Sequence, residues 1–316
     1  NEIKLTPENP VLVRNAEGFS WKEAKEITKE DYIAISRKLG TNIKEEKIPL
    51  VDLLNKDTRI DNKPFVDDLL LKLRDKYGTW KGVSERFPIR VDQIKGWRKN
   101  NIRRRPKKRD IELFTKDLEI SRKEFIDNCT RVGRLGNYIN IPKYVSPEFM
   151  RFLGLISGDG HIQAPIKTRW GTNISFWNND DKLQNGFKNL VKKLFNIDSS
   201  LFYHSKGRGK MHQFSSSLVA EILNNCGIPS GKKHDKFYLK EFLQRKDLLR
   251  PYLQALYDCE GSVSLERKTV SFMIRNKKMI KQIQLFLLQF GIISRINKAS
   301  SDLRIIISSK KNVKKF

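Results

Sequence analysis

The stretch Phe152-Leu-Gly-Leu-Ile-Ser-Gly-Asp-Gly160 returns in altered form one hundred and one residues later, as Leu253-Gln-Ala-Leu-Tyr-Asp-Cys-Glu-Gly261. A chain that repeats itself at this distance must build one unit twice. Each copy is an apolar run with small residues four apart, Gly154 and Gly158 in the first, Ala255 and Cys259 in the second. Residues four apart lie on one helical face, and small side chains there let two helix backbones approach closely. Neither run is long enough to span a bilayer. Each copy closes on an acid and a glycine, Asp159-Gly160 and Glu260-Gly261. The glycine is expected in the left-handed position just past a helix C-terminus. The acid sits where the helix dipole prefers a cation. Two such helices packed in parallel would bring both carboxylates to one spot, where they repel unless a divalent metal with hard oxygen ligands lies between them. Asp159 and Glu260 therefore form a candidate metal site.

Composition narrows the partner. Sixty-three Lys and Arg stand against thirty-six Asp and Glu, a net charge of +27. Such a surplus repels itself unless a polyanion is the normal partner, and nucleic acid leads. No transmembrane run, lipidation motif or signal peptide supports a membrane instead, so an intracellular, cytoplasmic or nucleoid-associated protein is expected. The 316 residues are 38% hydrophobic, enough for two or three small domains with real cores. Cys129, Cys226 and Cys259 are odd in number and far apart, which argues against a disulfide framework or zinc knuckle. The four histidines have no ligand spacing. The chain opens on Asn1 and stops at Phe316 inside an apparent helix, so a fragment or trimmed product is expected.

In chain order, residues 1–48 alternate apolar residues with turn formers and predict a small all-β segment. Residues 49–138 become helical, with Phe65, Leu69, Leu70, Leu73 and Tyr77 on one face. Two short helices around Pro88 predict a helix-turn-helix whose second helix offers Arg90, Gln93, Lys95 and Arg98 to the major groove. The run Arg103-Arg-Arg-Pro-Lys-Lys-Arg109 reads as a phosphate-contact tract through Arg103, Arg104 and Arg105, with no buried role. Arg131 to Pro147 is expected to be a linker or an extended lead-in, with a short β segment at Ile139, Ile141 and Tyr144. The two copies continue beyond their acids. Asn173-Ile-Ser-Phe-Trp177 matches Thr269-Val-Ser-Phe-Met273, and a helix carrying Leu183, Phe187, Leu190, Val191 and Leu194 matches one carrying Ile280, Ile283, Phe286 and Leu287. Gln213-Phe-Ser-Ser216 then matches Ile306-Ile-Ser-Ser309. The order helix, two strands, helix, two strands, helix occurs once fully and once nearly so: a duplicated α+β unit.

At these residues the chain resembles the LAGLIDADG homing endonucleases of the two-motif, single-chain kind encoded within inteins. The resemblance covers about residues 141–316. It implies a duplicated αββαββα core with two pseudo-symmetric halves over 139–316, the first 139–245 and the second, shorter, 246–316, preceded by a small β segment and a helical DNA-binding domain. It implies that Asp159 and Glu260 hold Mg²⁺, with Mn²⁺ as a substitute, and that Gly158 and Cys259 lie beside them in the metal site. The sixth motif position, Ser157 in one copy and Asp258 in the other, belongs to packing or capping. Gly231-Lys-Lys233 resembles the family's basic context, making Lys233 the expected catalytic lysine and Lys232 its alternative. DNA-facing strands would use Arg169, Trp177, Arg208, Lys210, Arg267, Arg275, Arg295 and Arg304. The opening segment, with Pro10-Val-Leu-Val13, Trp21, Ala24 and Asp31-Tyr32, resembles an intein splicing block, with Asn9 where that family has its histidine. A remnant or fragment of a splicing domain is implied. The activity implied is metal-dependent, site-specific cutting of double-stranded DNA at a long asymmetric site by a monomer. A non-catalytic DNA-binding regulator or an RNA maturase on the same fold is the alternative.

Overall fold

The computed structural model describes residues 4–15, 18–34, 46–99, 101–134, 136–164, 171–203, 209–232, 237–299 and 302–316. Two compact units emerge, one made of residues 1–42 and 262–316, the other of residues 43–261.

The chain opens with strands β1 (Pro10–Asn15), β2 (Gly18–Glu23) and β3 (Tyr32–Ile33), an antiparallel sheet in the order β2-β1-β3. Next come β4 (Arg59–Ile60), helices α1 (Lys63–Tyr77), α2 (Trp80–Arg86), α3 (Val91–Arg98), α4 (Lys108–Asp117) and α5 (Arg122–Asn128), then β5 (Arg131–Arg134) and β6 (Asn137–Asn140). Helix α1 starts where the Asn62 side chain accepts the Phe65 amide and Pro64 fits the first turn. It buries Phe65, Val66, Leu69, Leu70 and Leu73, the expected apolar face, while Tyr77 stays part-exposed and bonds through its hydroxyl to Asp117. Phe87 meets Phe114 edge-on at 5.0 Å and Trp97 meets the same ring at 6.1 Å, so α3 and α4 share one aromatic core.

Two sequence expectations need correction in this region. The short β segment expected at Ile139 is present as β6, but it belongs to a hairpin rather than a linker: β5 and β6 pair from Arg131↔Asn140 to Arg134↔Asn137, and β4 adds a third strand. The basic run has a buried role after all. Arg105 is 5% exposed, its Nε 2.5 Å from Asp61, and Lys108 is buried with Nζ donating to the carbonyls of Val51 (2.8 Å) and Leu54 (2.9 Å). Burial pushes the Lys108 pKa down.

The first motif copy supplies α6 (Pro147–Ser157), β7 (Gly160–Ile162), β8 (Asn173–Trp177), α7 (Asp181–Phe195), β9 (Ser200–Tyr203), β10 (Lys210–Ser215) and α8 (Ser217–Asn225). The second supplies α9 (Lys246–Glu260), β11 (Gly261–Ser264), β12 (Thr269–Ile274), α10 (Lys277–Gln289), β13 (Arg295–Ala299), β14 (Asp302–Ile307) and α11 (Lys310–Lys315). The sheets have the same order, β7-β8-β10-β9 and β11-β12-β14-β13. Small devices repeat as well. Asp180 and Asn276 cap α7 and α10, and Ser216 and Ser309 cap α8 and α11. Asn196 ends α7 at φ 53°, and Gly291 turns the chain after α10 at φ 68°. The α+β duplication read from sequence is therefore present down to its caps.

Candidate active site

Helix α6 carries only Glu148 and Arg151 as charged residues, both half-buried, and buries Phe149, Met150 and every residue from Phe152 to Ser157. Its outer face stacks Phe152 on Phe187 (5.9 Å) and edge-on against Phe195 (5.3 Å) of α7. Its inner face meets α9. A Cβ on Gly154 would lie 2.5 Å from the Tyr252 carbonyl oxygen and 2.7 Å from the Ala255 Cβ. One on Gly158 would collide with the Cβ of Cys259 and stand 3.6 Å from the Cγ of Glu260. Both contacts advance four residues along each chain, so the helices run in the same sense and end together.

A second pair of contacts follows the repeat. The Tyr252 hydroxyl donates to Ser157 Oγ (3.1 Å), and Arg151 donates to Asp258 (3.0 Å). Residues 252 and 151 differ by one hundred and one, as do 258 and 157, so these are the same contact made once in each direction. Tyr252 is fully buried, which pushes its pKa far up and keeps it a neutral donor. Ser157 also donates to the Leu153 carbonyl (2.7 Å). Position six of the motif is thus an acceptor for the partner helix.

At the shared end stand Asp159 and Glu260. Asp159 follows α6 directly, and its carbonyl accepts the Trp177 amide (3.0 Å), which ties it to β8. Its Oδ2 accepts from Asn178 Nδ2 at 2.7 Å. Glu260 is the last residue of α9. Between them lies Cys259, whose thiol pKa is pushed up to about 12, first by burial and then by the Asp159 carboxylate. It is a protonated, unreactive thiol at neutral pH. The glycines after the acids have a different task from the one expected. Neither Gly160 nor Gly261 is left-handed, because a strand begins at once on each. A side chain on Gly160 would strike the Ile156 backbone, with its carbonyl oxygen 2.7 Å away, and one on Gly261 would strike the Tyr257 ring. Both are glycines for close approach.

Two hard carboxylates at the negative ends of two helices fit a divalent cation such as Mg²⁺. Among the described residues no group of three His, Cys, Asp or Glu could hold a metal, so the two acids would need backbone, water or phosphate oxygens to complete a shell.

The nucleic-acid candidates are spread. Lys167, Arg169, Trp170, Arg208 and Lys233 lie outside the described residues. Lys232 is exposed. Trp177 is 39% exposed at the end of β8. In the other sheet Arg304 sits opposite Met273 and Asn297, and Arg295 opposite Ile306, all on one face, away from buried Phe272, Ile305 and Ile307. Arg275 pairs with Asp302 (2.8 Å) and Lys210 with Asp181 (2.6 Å). At α3, the capping residue Arg90 pairs with Asp92 (3.1 Å), the Gln93 oxygen accepts the Arg90 amide (3.1 Å), and Arg98 lies over the Trp80 ring (5.0 Å). Lys95, Arg103 and Arg104 are exposed. Arg105 leaves the set, since Asp61 and burial hold it inside. Sequence reasoning missed Asn178. Its signal is the run Asn178-Asn179-Asp180 before α7, a turn-and-cap signature that on its own reads only as a helix start.

The model of the LAGLIDADG-like domain matches residues 146–227 and again 247–316. The chain carries two LAGLIDADG-like domains. A replication factor C small subunit of Methanocaldococcus jannaschii is 29% identical over 196 residues, 58% of this chain and 10% of that protein. A probable translation initiation factor IF-2 of the same organism is 23% identical over 334 residues, 100% of this chain and 25% of that protein. Its reverse gyrase is 25% identical over 323 residues, 98% of this chain and 18% of that protein. The chain thus spans between 10% and 25% of the length of these relatives. Among solved structures, I-DmoI in complex with DNA and Mn is 16% identical at a TM-score of 0.42, covering 53% of this chain and 93% of its own. Full-length DUF199/WhiA from Thermatoga maritima is 18% identical at a TM-score of 0.40, covering 55% of each chain. Among the described residues no helix is long and apolar enough to cross a membrane.

Proposed function

We propose that this chain is a site-specific double-strand DNA endonuclease of the homing type, acting as a monomer inside the cell and carried within an intein. The observation that carries this reading is the close packing of two parallel helices at Gly154 and Gly158, where a Cβ on Gly158, the neighbour of Asp159, would stand 3.6 Å from the Glu260 Cγ. Two like charges held together at negative helix ends cost stability unless a cation is the intended occupant. In this reading Asp159 and Glu260 hold Mg²⁺ or Mn²⁺, with the Gly158 and Cys259 backbone beside them. A bound divalent cation would supply charge stabilisation at a scissile phosphate. The remaining work falls to the chain. The packed helix pair holds the two acids at one end, Lys233 is assigned to polarising the attacking water, and Arg295 and Arg304 on one face of the β12–β14 sheet hold the duplex.

A net charge of +27 supports a polyanionic partner. The intein reading is supported by the relatives. Proteins as differently named as a replication factor, a translation factor and a gyrase share this segment as a minor part of their length, the pattern expected of an insertion that moves between genes. The pair α2 and α3 is proposed as a helix-turn-helix within a DNA-binding domain over residues 49–138, between a splicing remnant over 1–48 and the nuclease core over 139–316. A randomised duplex library lets the protein select its own target. Purified protein is incubated with the library in Mg²⁺ or EDTA, and the ends produced are sequenced. One long asymmetric sequence cut on both strands in Mg²⁺ alone is expected; selective retention of duplex without cutting would replace the nuclease with a DNA-binding regulator.

A further inference from the structure

We propose that Asn178, through Gln184 behind it, is a positioning residue that aims the Asp159 carboxylate at the metal. This rests on the metal-dependent reading above, and it adds a residue that reading does not contain.

The orientation of the Asn178 amide is forced. Its Oδ1 accepts the Asp180 amide at 2.8 Å, the turn that leads into α7. Turning the amide over would set a carbonyl oxygen against the Asp159 carboxylate and an NH₂ against a backbone N–H, two repulsions in place of two bonds. Nδ2 is therefore the atom that faces Asp159, at 2.7 Å from Oδ2. The backbone of Asn178 is fixed as well. Its amide donates to the Lys210 carbonyl (3.1 Å), and its carbonyl accepts from Gln184 Nε2 (2.6 Å). The same Nε2 donates to the Lys210 carbonyl (2.9 Å), and Gln184 is 3% exposed within α7. One buried glutamine thus joins α7, β10 and the end of β8 around the residue that touches the acid. With Oδ2 held in the Asn178 bond, the rest of the carboxylate is presented in a fixed direction. Oriented acids bind metals more tightly than mobile ones, because the ordering is already done.

The second repeat lacks this device. Aligning Phe176-Trp177-Asn178 with Phe272-Met273-Ile274 puts an isoleucine, which has no donor, at the matching position. The Asn178 amide is thus a feature of the first repeat's sequence.

The test is Mn²⁺ binding to the intact chain without DNA, followed by electron paramagnetic resonance, for wild type, N178A, D159N and the double variant, with thermal unfolding alongside. N178A is expected to weaken Mn²⁺ binding by about 10- to 100-fold, and to raise the Mg²⁺ needed for half-maximal cutting by a similar factor, with an unfolding midpoint close to wild type. In the D159N background N178A should change nothing, because Asn178 acts through Asp159. Binding unchanged in N178A, or weakened equally in both backgrounds, overturns the proposal, as does a wild type that binds no Mn²⁺. A wild type that binds Mn²⁺ but cuts no DNA would sink the nuclease reading and leave this one standing on the titration.

Discussion

Arg105 and Lys108 belong to a run of seven residues with six cations, yet both are buried, because their partners come from far along the chain: Asp61 for one, the Val51 and Leu54 carbonyls for the other. Removing Asp61's charge would strand the Arg105 guanidinium and also release Arg131, which lies 2.7 Å from the same carboxylate. Asp61→Asn should therefore cost about 3–5 kcal/mol, the usual penalty for an uncompensated buried charge, read as a shift in urea midpoint at constant m-value. His212 is another buried ionisable group with a measurable consequence. It lies in β10 with its Nδ1 3.1 Å from the Ser199 hydroxyl, and burial lowers its pKa from 6.5. As pH falls the unfolded chain takes up this proton first, so the contribution is complete above 6.5 and is lost as pH drops through the folded-state pKa. Unfolding between pH 7.5 and 5 should show this loss, and His212→Gln should flatten it. Neither residue's role was legible in sequence, since a histidine on a strand and a cation in a basic run carry no mark of their distant partners. Asn178 was hidden for the same reason, its partner Asp159 being nineteen residues away.

The paired helices were legible because their constraint is local and periodic: a small residue every fourth position, Gly154 and Gly158 in one helix and Ala255 and Cys259 in the other, can be seen without knowing what lies opposite. What lies opposite decides the cost of change. Gly154→Val would push a branched side chain into the Tyr252 carbonyl and the Ala255 methyl. It should destabilise by about 1–3 kcal/mol or more, as overpacked cores do, and cutting should fail with it because the acids part; calorimetry and a cleavage assay check both. The two reciprocal contacts should differ in worth. Tyr252→Phe strips a buried hydroxyl from Ser157 and should cost about 1 kcal/mol. Asp258→Asn weakens a half-exposed ion pair and should cost no more than about 0.5 kcal/mol. A larger loss from Asp258→Asn would mean that the outer contact, and not the buried one, holds the helices. The glycines after the acids were misread because sequence alone does not say that a strand follows without a turn. The hairpin of β5 and β6 was read only through its second strand, at Ile139, because Gly133 and Gly136 resemble linker glycines, although a Cβ on Gly133 would collide with the Tyr138 ring.

Across the whole molecule, the net charge of +27 and the recurrence of the segment in differently named proteins point the same way. Duplex binding should fall steeply with salt, with a slope of about −0.9 per phosphate contact. Arg295→Gln with Arg304→Gln should lower that slope by about 2 if both arginines touch phosphates. An unchanged slope would move the duplex off the β12–β14 face. On the proposed function, two carboxylates brought together by a repeated helix form one cutting centre. Its most direct test is single-turnover cleavage of the target duplex, each strand labelled separately, by wild type, Asp159→Asn and Glu260→Gln in Mg²⁺, with duplex binding measured in Ca²⁺. Both variants should bind as wild type does, with cutting reduced by at least about 100-fold in each. Cutting of both strands at the wild-type rate by either variant would contradict a shared centre.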